Sequence, residues 1–92
     1  VKSIWKYTLE TLDRQVIDVP NMFTPIAVQM QDSKMVLWAV VGLMKSRKSI
    51  SVRIVCTGDE VNYLDESGYV GTVQLPKNGI VLHVFVEDVC VS

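Results

Sequence analysis

One histidine, two cysteines and two small charge clusters are the residues of this 92-residue chain with the types that do chemistry. His83 alternates with Val81 and Phe85, so the three share one face of a β-type run. A general base needs a group to orient it and a nucleophile within reach. No G-x-S-x-G elbow supplies that nucleophile. A partly buried structural histidine is therefore the expected role. His83, Cys56 and Cys90 are too widely spaced in sequence for the paired ligands of a zinc site. Asp59, Glu60, Asp65 and Glu66 offer oxygen ligands, but the spaced Asp/Asn pattern of a calcium loop and its closing Glu are missing. These four carboxylates are expected to form a solvated loop or to steer a basic partner surface. No catalytic residue, metal or cofactor is assigned.

Lys45, Arg47 and Lys48 form the one basic cluster. Such a cluster suits a phosphate, with Arg47 able to pair bidentately and Arg53 extending the set. Trp5 or Tyr7 could stack on a base. Yet the net charge is −1 and no RNP-like aromatic pattern occurs, which weighs against direct nucleic-acid binding. Trp5, Tyr7 and Leu9 alternate onto one face and would make an apolar interface stripe if no second sheet covers them. Trp38 lies in an apolar run and is expected in the core.

The elements that must position these residues are strands. Period-two alternation or β-rich composition marks seven runs, at 4–9, 15–19, 26–31, 35–41, 50–57, 69–75 and 80–86. Pro76-Lys-Asn-Gly79 reverses the last pair, its Asn-Gly supplying positive φ. Asp32-Ser33 makes a second tight reversal. Residues 21–25 are expected to be irregular, and 58–68 to be a long loop with one short helical turn. Gly71 is expected to mark a bulge or a close backbone approach. The fold class is all-β: about seven mostly antiparallel strands in a small sandwich or partly open barrel. Residues 1–92 read as one domain, with 87–92 a loose tail.

Hydrophobic residues make up 49% of the chain, which excludes a disordered segment. Residues 1–48 carry seven Lys/Arg against four Asp/Glu, +3, and residues 49–92 carry two against six, −4. The surface is expected to be bipolar, which favours weak self-association or docking on a charged partner. Cys56 reads as a small core residue, and two reduced thiols suit a cytoplasmic protein. No secretory h-region and no bilayer-length apolar run is seen.

Six segments, in this order and spacing, carry a resemblance: Lys2-Ser-Ile-Trp-Lys-Tyr-Thr-Leu9, Val28-Gln-Met-Gln31, Val36-Leu-Trp-Ala39, Arg53-Ile-Val-Cys-Thr-Gly58, Tyr69-Val-Gly-Thr-Val-Gln-Leu75 and His83-Val-Phe85. Together the chain resembles a family of small uncharacterised proteins encoded by tailed phages and prophages. It departs from that pattern at 42–48 and after residue 86. The resemblance implies a phage accessory protein acting in the bacterial host cytoplasm and carries over no site residue. The expected function is non-enzymatic: binding that inhibits or masks a host protein or protein–RNA complex, defence-related in kind. The alternatives are a homo-oligomer that sequesters a small nucleotide-type ligand, and a minor virion or assembly component.

Overall fold

Alternation decides which side chains go inside. Ile50, Val52 and Ile54 are buried in the core, while Arg53, between them, points the other way. The same rule orders all seven strands of the computed structural model, which describes residues 1–89. They are β1 (Lys2–Leu9), β2 (Arg14–Pro20), β3 (Phe23–Gln31), β4 (Lys34–Gly42), β5 (Arg47–Cys56), β6 (Tyr69–Gln74) and β7 (Val81–Asp88). Two antiparallel sheets result, β1-β4-β3 and β2-β5-β7-β6. They pack face to face as a sandwich and do not close into a barrel. The inner faces supply one core, including Leu9, Val28, Leu37, Val52, Leu82 and Val84.

Residues 32 and 33 join β3 to β4 with φ of 50° and 66°. Both central residues at positive φ make this a two-residue turn of type I′, whose twist matches the flanking strands. Serine is strained there by about 1–2 kcal/mol, and glycine would relieve this at about 0.5–1 kcal/mol of chain entropy. Ser33→Gly is therefore expected to stabilise the domain by about 0.5–1 kcal/mol, read as a raised urea midpoint at constant slope.

Two bulges change the register. One lies between Pro25 and Ala27, the other between Tyr69 and Gly71. Residues 23–25, expected to be irregular, belong to β3. Proline is tolerated because β3 is an edge strand and the bulge falls beside it. Ile26, expected to face inward, is the extra residue of that bulge and is 49% exposed. Gly71 meets both expectations at once. It sits at a bulge, and a β-carbon there would come within 2.8 Å of Val28 Cγ1, where β6 packs along β3. At the final hairpin only Gly79 takes positive φ, 71°; Asn78 instead accepts the Ile80 amide through Oδ1 at 3.1 Å. β7 continues through Asp88, and the Val89 amide donates to the Ser49 carbonyl at 3.1 Å. Residues 87 and 88 are thus paired rather than loose. Cys90 and the remainder of the expected tail lie outside the described residues. No helix among the described residues is long and apolar enough to cross a membrane.

Candidate functional site

On β7, Leu82, Val84 and Val86 turn inward, which sends His83 and Phe85 to the outer face of the four-stranded sheet. Thr57 Oγ1 lies 2.7 Å from His83 Nε2, and Thr72 Oγ1 lies 2.9 Å from Nδ1. Tyr69 Oη continues the chain to Thr72 Oγ1 at 2.6 Å, and the Tyr69 ring meets Phe85 edge-on at 5.4 Å. A hydroxyl both donates and accepts, so the imidazole is satisfied in either tautomer. Neither partner is a carboxylate, so the ring lacks the charged group that orients a general base. What the chain of hydroxyls does is tie β6, β7 and the end of β5 together.

The segment after β5 folds back over this face. Tyr63 lies under the Arg53 guanidinium, 4.8 Å from ring centroid to Cζ. Asp59 Oδ2 accepts the Cys56 amide at 2.8 Å. Asp65 caps a 3-10 turn at Glu66–Gly68, accepting from the Ser67 amide at 3.0 Å and its hydroxyl at 2.6 Å. Those bonds hold the Asp65 carboxyl below the usual carboxylate range. Two of the four candidate carboxylates thus hold the loop's own backbone, while Glu60 and Glu66 are exposed. Among the described residues no group of His, Cys, Asp or Glu is placed to hold a metal. Cys56, expected in the core, is exposed: it is the last residue of β5, at the strand's end, where the chain leaves the sheet.

The basic candidates do not converge. Arg47 Nη2 pairs with Asp18 Oδ2 at 2.9 Å, its Nε donates to the same oxygen at 3.1 Å, and Nη2 also reaches the Asp18 carbonyl at 3.2 Å. Lys48 pairs with Asp88 at 3.3 Å. Lys45 is exposed in the loop before β5. Arg53 lies six residues further along β5, about 20 Å away at the rise of an extended strand, and is covered by Tyr63. The expected phosphate set is therefore not assembled. The basic loop enters β5 and the acidic segment leaves its far end, but that segment runs back along the sheet, so Asp65 lines a cavity with Ile50 and Asp88, the residue that pairs with Lys48.

Trp5, Tyr7 and Leu9 share one face as expected, but that face looks into the sandwich. Leu9 is buried, Tyr7 packs edge-on against Phe23 at 5.7 Å, and only Trp5, at the open end, is 38% exposed. The Tyr7 hydroxyl is buried without a hydrogen-bond partner. Burial raises its pKa above the ordinary 10.0, with Asp18 adding to the rise and Arg47 opposing it. An acid raised in the folded state contributes stability that is complete below the unfolded value and is lost as pH climbs through the folded one. Wild-type stability should thus fall above pH 10.0. Tyr7→Phe should remove that part of the alkaline loss while changing stability at neutral pH by less than about 1 kcal/mol. Urea unfolding of both proteins at neutral pH and at about pH 11, beyond the ordinary tyrosine value, checks this.

Exposed apolar side chains occur at several places, Leu12, Val16 and Ile80 among them, and an apolar strip lies on the opposite face of β1. Ile4 is 60% exposed and sits opposite Val40, with Lys6 opposite Trp38 and Thr8 opposite Val36. On the far side of β4, Ala27 pairs with Trp38 and Gln29 with Val36. Trp38, expected in the core, is on this outer face because Leu37 and Ala39 occupy the inner one. Val36 is nonetheless only 2% exposed. Lys6 Nζ donates to Gln31 Oε1 at 3.3 Å, and since β1 and β3 flank β4, that bond crosses over β4 and roofs Val36. Ile4, Trp38 and Val40 were not singled out as site residues. The available signal was that residues 35–41 are apolar at both parities, which in a two-layer fold leaves one apolar face outside.

The family model of DUF7352, a domain of unknown function, matches residues 1–90, and the chain belongs to that family. No curated protein and no solved structure matches it.

Proposed function

We propose that this DUF7352 domain works by binding another protein: a small, non-enzymatic phage accessory protein that inhibits or masks a host defence-related protein or complex in the bacterial cytoplasm. One observation carries the binding reading. The outer face of β1-β4-β3 presents Ile4, Trp38 and Val40 with no element of the described chain packed over them. An antiparallel sheet with one solvated face normally alternates to polar residues there, and an apolar face left open is the mark of an interaction surface. The phage setting is supported by the resemblance of the six sequence segments. The nucleotide-sequestering alternative has less support, because Arg47 and Lys48 are already engaged by Asp18 and Asp88.

Affinity purification of the tagged protein from its bacterial host, with mass spectrometry of what is retained, tests this reading. One dominant host protein that survives a salt wash is the expected result. A clean preparation would contradict it, and a melting screen against nucleotides would then take precedence. A ligand at 100 times its Kd raises stability by about 2.7 kcal/mol.

A further inference from the structure

We infer that the partner of the outer β1-β4-β3 face is an acidic protein surface, an apolar strip bordered by Asp and Glu; this rests on the binding reading above. The side chains that alternation places on this face include Lys2 and Lys6 from β1 and Lys34 from β4, all exposed. The other polar groups there are neutral: Thr8, Thr24, Gln29 and Gln31. No carboxylate lies on the strands of this face, although the chain has ten. Three ammonium groups around an apolar centre select a partner of opposite sign, through both encounter rate and exclusion of wrong surfaces.

The same three lysines argue against a second copy. A two-fold contact places one patch against itself, which here would bring like charges together across the interface. Nucleic acid fits less well than protein. Single-strand platforms stack successive bases on aromatic rings, whereas this face has one aromatic, half-buried Trp38, among the aliphatic Ile4, Val40 and Ala27. The face spans three strands and about eight residues, roughly 14 by 26 Å at standard strand spacing and rise. That is about half of the roughly 800 Å² per partner in a stable complex. The adjoining end supplies more apolar surface: Met22, 44% exposed, lies against Gly42, and Leu43 and Met44 are 49% and 43% exposed.

The test uses Trp5→Phe protein, in which Trp38 is the only tryptophan, labelled for NMR. It is titrated with a random Glu/Tyr copolymer, a Lys/Tyr copolymer and an oligothymidylate. The expected result is that the Glu/Tyr copolymer alone shifts the Trp38 indole and the amides of Ile4 and Lys6. Lys6→Glu with Lys34→Glu should weaken that binding about tenfold with the melting temperature unchanged. Tighter binding of the oligothymidylate, equal binding of the Lys/Tyr copolymer, or shifts confined to the His83 face would overturn the inference. So would self-association through this face in sedimentation. A host protein still captured by the double reversal would refute the acidic partner alone. Capture that also survives Ile4→Asp would remove the binding surface itself.

Discussion

Leu37→Ala is expected to destabilise the domain by about 3–4 kcal/mol, the usual range for a buried leucine truncated in a core that relaxes only in part. Leu37 is fully buried in the central strand of its sheet, opposite Tyr7 on one side and Val28 on the other. Its removal opens a cavity between the two layers. A domain of this size has total stability on the order of 5–14 kcal/mol, so the loss is a large fraction of it. The melting temperature should drop by roughly 12–32 °C, given about 4–8 °C per kcal/mol for a chain this short. Ile4→Ala, on the outer face of the neighbouring strand, should cost no more than about 0.5 kcal/mol. Urea unfolding of the two variants measures the contrast, and a Leu37→Ala cost below about 1 kcal/mol would contradict the assignment of the inner face.

Gly68→Ala is expected to cost about 3 kcal/mol, the upper part of the range for overpacking a tight site. A β-carbon at Gly68 would overlap the Val86 carbonyl oxygen and lie 3.2 Å from its carbon. The obstruction is backbone, so no rotamer change can relieve it. Relief requires the 3-10 turn and the start of β6 to move away from β7. That motion would loosen the Asp65 cap, the Tyr69–Phe85 contact and the Tyr63 cover on Arg53 together. Gly58 provides the control. It has φ of 98° with nothing near a would-be β-carbon, so Gly58→Ala carries only the conformational cost, about 1–2 kcal/mol. Thermal melts of both variants, with near-UV circular dichroism for the aromatic contacts, decide this. Equal costs at the two glycines would show that the Gly68–Val86 approach is not tight.

The fold was largely legible because alternation is a local property. Residues 50–54 alternate cleanly and their inner face is buried as read. Asp32-Ser33, Gly71 and the loop before Ile80 announced their turns or close approaches by residue type. Phase was lost where a bulge inserts a residue. Counting by twos from Val73 puts Tyr69 inside, whereas the shift between Tyr69 and Gly71 sends it outside and Val70 toward the core. The candidate site was much less legible. Arg47 and Asp18 are 29 residues apart and meet only because β2 pairs with β5, so a cluster that looked free in sequence is neutralised in space. Trp38 was misplaced for a different reason. A strand apolar at both parities gives no sign of which face the second sheet will cover, and that choice is made by topology.

The most direct measurement on the outer β1-β4-β3 face as the working surface is a paired one on Ile4→Asp. Its melting temperature and its retention of the host protein captured by the wild type are read side by side. The exposed position of Ile4 predicts a melting temperature unchanged within about 2–4 °C, the shift for a surface change of about 0.5 kcal/mol, together with loss of the captured protein. A folded Ile4→Asp that retains the partner as well as the wild type does would contradict the assignment of this face.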